Sequence, residues 1–160
     1  MRRVLSLLIA GMFTLVLSAQ AHAQTLTYTA TLSGSNEAPP VAATGAGGFA
    51  TITINVAAQT LTWVVDVYNL PSGVTAGHIH AGGAGVAGPV VVNFVVPTSA
   101  SNDFRITGTA GPADVVARQP QGVNGWEDLL QAIATGHAYV NVHSQVNPGG
   151  EIRGQLVLKP

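Results

Sequence analysis

The sequence predicts an all-β chain folded as an antiparallel Greek-key β-sandwich, with one short helix near the C-terminal third. Three observations predict it. About eight short segments alternate apolar and polar residues, or run continuously apolar, as strands do. Clusters of Gly, Pro, Asn and Ser separate them. A single segment carries the i, i+3, i+4, i+7 spacing of an amphipathic helix.

Thr25 to Ser33 sets Leu26, Tyr28, Ala30 and Leu32 against four threonines and Ser33, the pattern of a half-buried strand. Gly34 to Pro40 is a loop by composition, and Glu37 within it reads either as a solvated carboxylate or as a ligand. Phe49 to Val56 and Thr60 to Tyr68 alternate again and form a hairpin through a turn at Ala57 to Gln59. Val74 to His80 is the next extended piece, followed by a glycine-rich loop from Ala81 to Pro89. That loop lacks the Lys-Ser/Thr and the helix a phosphate cradle needs. Val90 to Val96 reads as a strand buried on both faces or nearly so, and Phe104 to Thr109 as a short strand. Trp126, Leu129, Leu130 and Ile133 define the helix, opened at Asn124 or Gly125 and closed by Gly136, with Glu127 and Asp128 in the first turn. His137 to Ser144 is a strand, Asn147 to Gly150 a turn, and Glu151 to Leu158 the last strand, with Ile152, Leu156 and Leu158 on its apolar face.

Composition narrows the function. Arg2 and Arg3, the apolar run Val4 to Leu17 and Ala21-His22-Ala23 form a secretory signal peptide over residues 1–23, so the domain spans 24–160 and is exported, periplasmic or secreted. Past the leader, four basic side chains face seven acidic ones, a net charge of −3 with histidines neutral. No basic patch suits nucleic acid, and no second apolar run approaches membrane-spanning length. The chain has no cysteine, so it makes no disulfide and offers no thiolate to a metal. No Gly-x-Ser-x-Gly elbow or paired-carboxylate motif suggests hydrolysis.

After the leader, the histidines fall in two segments, Gly77-His78-Ile79-His80-Ala81-Gly82 and Gly136 to Ser144. On a strand, His78 and His80 share a face opposite Ile79 and their alpha carbons lie roughly 6.6 Å apart. Both rings can therefore reach one ion. His137 and His143 lie about 20 Å apart along an extended strand, too far for one ion, since a histidine alpha carbon sits on the order of 6 Å from its metal. At most one joins the pair. His143 ends its strand beside a turn, as His80 does beside a loop, whereas His137 follows the helix terminator and reads as a charge near the helix C-terminus or as simply exposed. The expected metal ligands are His78, His80 and His143, with water, Glu37 or Glu151 at a fourth position and His137 set aside. The competing reading is three surface histidines. A histidine set without cysteine in an exported protein suits copper(II) or zinc, with copper preferred.

These segments, together with Asn147-Pro148-Gly149-Gly150-Glu151-Ile152-Arg153-Gly154-Gln155 and the early Gly34-Ser35-Asn36-Glu37-Ala38-Pro39-Pro40, resemble the CHRD (chordin) domain. The resemblance covers nearly the whole chain after the leader. It implies an immunoglobulin-like β-sandwich, found in bacterial exported proteins and as repeats in chordin, an extracellular antagonist of growth factors. The His-x-His strand and the histidine closing a Val-x-Val-His strand are also similar to the copper ligands of copper/zinc superoxide dismutase, itself a Greek-key sandwich. That likeness again suggests His78, His80 and His143. The chain departs from it in having no cysteines and only His137 left over towards a bridged second metal, so dismutase activity is not expected. The first reading is an exported, non-enzymatic metal-binding protein for buffering, storage or delivery. The alternative is an interaction or adhesion module that meets another exported protein, and a mononuclear copper redox enzyme is the third.

Overall fold

The computed structural model describes residues 24–98 and 101–160. The expected signal peptide, residues 1–23, lies outside the described residues. The described residues form nine strands and one α-helix: β1 (Thr25–Ser33), β2 (Gly47–Asn55), β3 (Thr60–Tyr68), β4 (Val74–Ala81), β5 (Val90–Phe94), β6 (Phe104–Ala110), α1 (Trp126–Ala134), β7 (Ala138–Ser144), β8 (Ile152–Gln155) and β9 (Val157–Leu158).

Every pairing is antiparallel, in the order β5-β4-β7-β8-β1-β2-β3-β6, with β9 added to β1. The two ends of this order come together. A Cβ built on Gly77 would touch both Phe94 of β5 and Ile106 of β6, and Trp63 of β3 stacks on Phe94 with ring centroids 4.5 Å apart. The sheet is therefore nearly closed, and β7 returns beside β4 to give the Greek-key order β7-β4-β5-β6. Inside, the alternation does what the sequence implies. Ala50, Ile52 and Ile54 of β2 and Leu61, Trp63, Val65 and Val67 of β3 are buried against Ile79, Val140, Val142 and Ile152. Helix α1 caps the core with Trp126, Leu129 and Ile133, and Gly136 ends that segment at φ +73°, a left-handed conformation suited to glycine.

Ile79 is fully buried. Burying such a side chain contributes roughly 2 kcal/mol. A one-residue slip would exchange it for His78 or His80, so this burial fixes which way the histidine pair points. The β4–β5 register also shifts between Ile79 and His80, pairing Ile79 with Val92 and His80 with Val90. Bulges of this kind re-aim side chains next to sites.

Two strands differ from expectation. Val90 to Val96 is not buried on both faces to its end: β5 stops at Phe94, Asn93 is exposed and Val95 is 85% exposed. The reason is position, because β5 is an end strand whose one strand neighbour in the sheet order is β4, and Pro97 follows it. Glu151 to Leu158 is not one strand either. Gln155 still faces β7, the Leu156 amide donates to the Ala138 carbonyl, and the chain then changes partner so that Val157 and Leu158 pair with β1. Leu156 is buried at the switch, and Leu158, expected on the apolar face, is exposed.

The approach of β8 to β1 is close enough to need glycine. A Cβ on Gly154 would lie 2.4 Å from the Thr31 carbonyl oxygen and 2.8 Å from Leu32 Cδ2. Gly154→Ala is expected to destabilise the fold by roughly 2 kcal/mol or more, read as a lowered urea midpoint. An unchanged midpoint would mean the two strands are not held this tightly.

Candidate metal centre

β4, β7 and β8 lie side by side, and their outer faces carry the chemistry. The register sets His78 opposite Asn141, His80 opposite Tyr139, Asn141 opposite Arg153, and Tyr139 opposite Gln155. In an ordinary sandwich this face would meet water. Here all seven residues of β7 are buried, so both faces are covered. Loops form the outer cover. From one side the Gly34–Asn36 turn delivers Glu37, whose Oε1 accepts a 2.5 Å hydrogen bond from Asn141 Nδ2. From the other side the glycine-rich loop is tied down at many points. Gly88 N–H donates to the Tyr139 hydroxyl at 3.0 Å, Arg153 Nη2 donates to the Gly83 carbonyl at 2.7 Å, and Gln155 Nε2 donates to the Gly82 carbonyl at 2.9 Å.

Under this cover three imidazoles converge. Single ligand nitrogens of His78, His80 and His143 all lie within 4.8 Å of one another. His78 is half-buried, and His80 and His143 are buried. Backbone carbonyls orient two of the rings. His80 Nδ1 sits 2.9 Å from the Gly88 carbonyl and His143 Nδ1 sits 2.9 Å from the Pro148 carbonyl. A carbonyl only accepts, so both Nδ1 atoms carry the proton and both Nε2 atoms present lone pairs. His80 Nε2 is buried with no hydrogen-bond partner. The bare His143 Nε2 lies 3.0 Å from His78 Nδ1, which donates to it in the metal-free state. This is the outer-shell arrangement that orients metal-ligating histidines. Two nitrogens on one ion can be no more than about 4 Å apart at metal–nitrogen bonds near 2 Å, so the group needs a contraction of under about 1 Å to close on an ion.

The electrostatics favour neutral rings. Burial pulls His78 down to about 4, with the nearby His143 and His80 adding to the effect. Burial also pulls His80 down to about 4; its bond to the Gly88 carbonyl opposes this, and His143 and Arg153 reinforce it. Burial lowers His143 as well, against its bond to the Pro148 carbonyl. All three are free bases near neutrality, the form that binds metal.

The other sequence candidates stand apart from this group. Glu37 is not a solvated loop carboxylate: it is 8% exposed, and burial raises it to about 7 against the opposing bond from Asn141 and charge of Arg153. Glu151 is 1% exposed and closed off by hydrogen bonds from Ser144, Thr44 and Asn147; burial would raise it, but those bonds prevail and hold it below the usual carboxylate range. Glu151 ties β7 to the turn at Asn147–Gly150 and to the Thr44 loop. His137 is exposed, with Nδ1 3.1 Å from the Thr135 hydroxyl just past α1.

Sequence reasoning missed a stack behind His80. Tyr139 lies against its ring with centroids 4.8 Å apart and planes 11° off parallel, and the Arg153 guanidinium lies 3.4 Å over the Tyr139 ring. Alternation places Tyr139 on the histidine face and Arg153 on the polar face of the last strand. Only the pairing of β7 with β8 brings them together.

The fold and this centre define a class: an antiparallel sandwich whose outer sheet face holds three converging histidines, two of them buried, under loops. The chain belongs to the CHRD domain family, whose family model matches residues 28–156. Membership points to an extracellular or interaction module, and the histidine triad could hold a metal ion. No curated protein and no solved structure matches the chain.

The histidines and Glu37 have opposite linkage to pH. The histidine values are depressed on folding, so their contribution is present above the unfolded value of 6.5 and is lost as pH falls towards 4. The Glu37 value is raised, so its contribution is full below 4.5 and is lost as pH rises through 7. Between pH 6.5 and 4.5 Glu37 therefore offsets only part of the loss from the histidines. Glu37→Gln removes one side, and the metal-free variant should lose stability on acidification more steeply than the parent, by up to about 1.4 kcal/mol per pH unit. Thermal melts across pH 4 to 7 check this, and parallel curves would contradict it.

Proposed function

We propose that the protein is an exported, non-enzymatic metal-binding protein that buffers, stores or delivers copper, with zinc as the alternative ion. His78, His80 and His143 are the ligands, and water fills a further position from the half-exposed side of His78. The observation that carries this reading is the buried His80 Nε2, a lone pair with no partner, facing two other imidazoles within ligand distance. Leaving a buried polar atom unpaired is unfavourable by about 1–3 kcal/mol, and a metal ion would remove that penalty. Glu37 and Glu151 are left out of the ligand set because their oxygens are held by hydrogen bonds to Asn141 and to Thr44, Ser144 and Asn147. Export rests on the N-terminal leader pattern. A non-enzymatic role rests on the polar neighbours of the triad, whose hydrogen bonds hold the loops in place.

A second reading, an interaction module, draws on the family and on the outer face of β2 and β3, where Phe49, Val64 and Tyr68 are exposed. Chelation separates the two readings, since a partner bound at that face would stay bound after the metal is stripped.

His80→Ala should lower copper affinity by at least about 100-fold, more than the usual effect of losing an outer-shell partner. His137→Ala should leave it within about threefold, because His137 stands outside the group. Competition against a chromogenic chelator measures both, and equal affinity of His80→Ala and the parent would remove this assignment.

A further inference from the structure

We infer that the histidine centre is built for a monovalent ion, cuprous copper, over divalent zinc or cupric copper; this rests on the metal reading above. The first ground is the donor set. The group that could hold an ion consists of three imidazoles and no carboxylate. The nearest buried acids are engaged: Glu37 accepts from Asn141, and Glu151 accepts from Thr44, Ser144 and Asn147. A divalent ion would therefore bring two positive charges into a covered site with no anionic ligand. Burying charge without a counter-charge is strongly unfavourable, and a single charge is the lesser burden.

The second ground is Arg153, a buried cation on the far side of a ligand ring. It is 2% exposed, and the one ion pair found among the described residues joins Arg105 to Asp66. The 3.4 Å and 4.8 Å steps through Tyr139 keep its guanidinium within about 8 Å of the His80 ring. An ion on His80 Nε2 would be at roughly 10 Å. At an effective permittivity near 20, each added unit of charge there is disfavoured roughly tenfold.

The third ground is coordination number. Zinc sites take four ligands, of which one can be water, and cupric copper prefers a square-planar or tetragonal set. Either divalent ion therefore depends on the water beside His78, whereas a three-coordinate ion does not. Cuprous copper, with a filled d shell, accepts three nitrogens. Three histidines on neighbouring antiparallel strands, with two tautomers fixed by backbone carbonyls, offer that number.

The test uses the full chain after its leader, freed of metal and titrated separately with Cu(I), Cu(II) and Zn(II), each buffered by a chromogenic chelator. Cu(I) is kept reduced under inert gas. The preference for Cu(I) over each divalent ion is compared with that of free imidazole in the same buffer. The inference expects one equivalent of Cu(I) and a preference at least about tenfold greater than that of imidazole. A preference equal to that of imidazole, or reversed, overturns the inference while leaving the metal centre in place. Failure to bind any of the three ions overturns the metal reading itself. Arg153→Met should raise affinity for the divalent ions roughly a hundredfold and for Cu(I) roughly tenfold, narrowing the preference about tenfold, and Arg153→Lys, which keeps the charge, should retain the parental preference. Should Arg153→Met not fold, the parental comparison decides alone.

Discussion

The structure depends on burying both faces of β7. Its inner face, with Ala138, Val140 and Val142, belongs to the apolar core. Its outer face, with Tyr139, Asn141 and His143, is covered by loops and must satisfy every polar group without water. The fold meets that demand with backbone carbonyls and side chains from distant segments. Gly88 and Pro148 serve the histidines, Glu37 and the Ile152 carbonyl serve Asn141, and Gly88 serves Tyr139. The one clear shortfall on this face beside Gln155 Oε1 is His80 Nε2. A layer this fully connected is rigid, and a single unpaired lone pair in it is where a ligand would be most strongly felt.

Two buried carboxylates in this layer show how local partners decide charge. Glu151 has three donors and remains ionised in a dry site. Glu37 has Asn141 and a backbone amide, and burial dominates, so it is near half-protonated at neutral pH. The same residue type therefore acts as a fixed anion at one end of the layer and as a nearly neutral clasp at the other. The site between them is left without a strong negative charge, and Arg153 lies on its flank.

Much of this was readable in the sequence. Strict alternation located β1, β2 and β3, and the helical spacing with Gly136 located α1, because in each case one face meets the core and the other meets water. The histidine trio was readable for the same reason: parity put His78 with His80, and strand rise separated His137 from His143. The failures share a cause. Whether a polar face is solvated or covered depends on loops, and alternation looks the same in both cases. Glu37 therefore stood open between a solvated acid and a ligand, neither of them its buried bond with Asn141, and the stack of His80, Tyr139 and Arg153 was invisible until β8 was paired with β7. The carbonyls of Gly88 and Pro148 carry no side-chain signature at all. The change of partner at Leu156 is equally silent, since residues on either side of it keep strand-like composition.

The central claim is that backbone carbonyls hold His80 and His143 as Nδ1–H tautomers, with their bare Nε2 atoms aimed at a common point beside His78. Long-range proton–nitrogen correlation spectra of the imidazole rings in metal-free protein at pH 7 test it most directly. The account predicts unprotonated Nε2 on both rings, with those signals moving when one equivalent of copper is added and those of His137 staying in place. Protonated Nε2 atoms, or imidazolium rings at that pH, would contradict it.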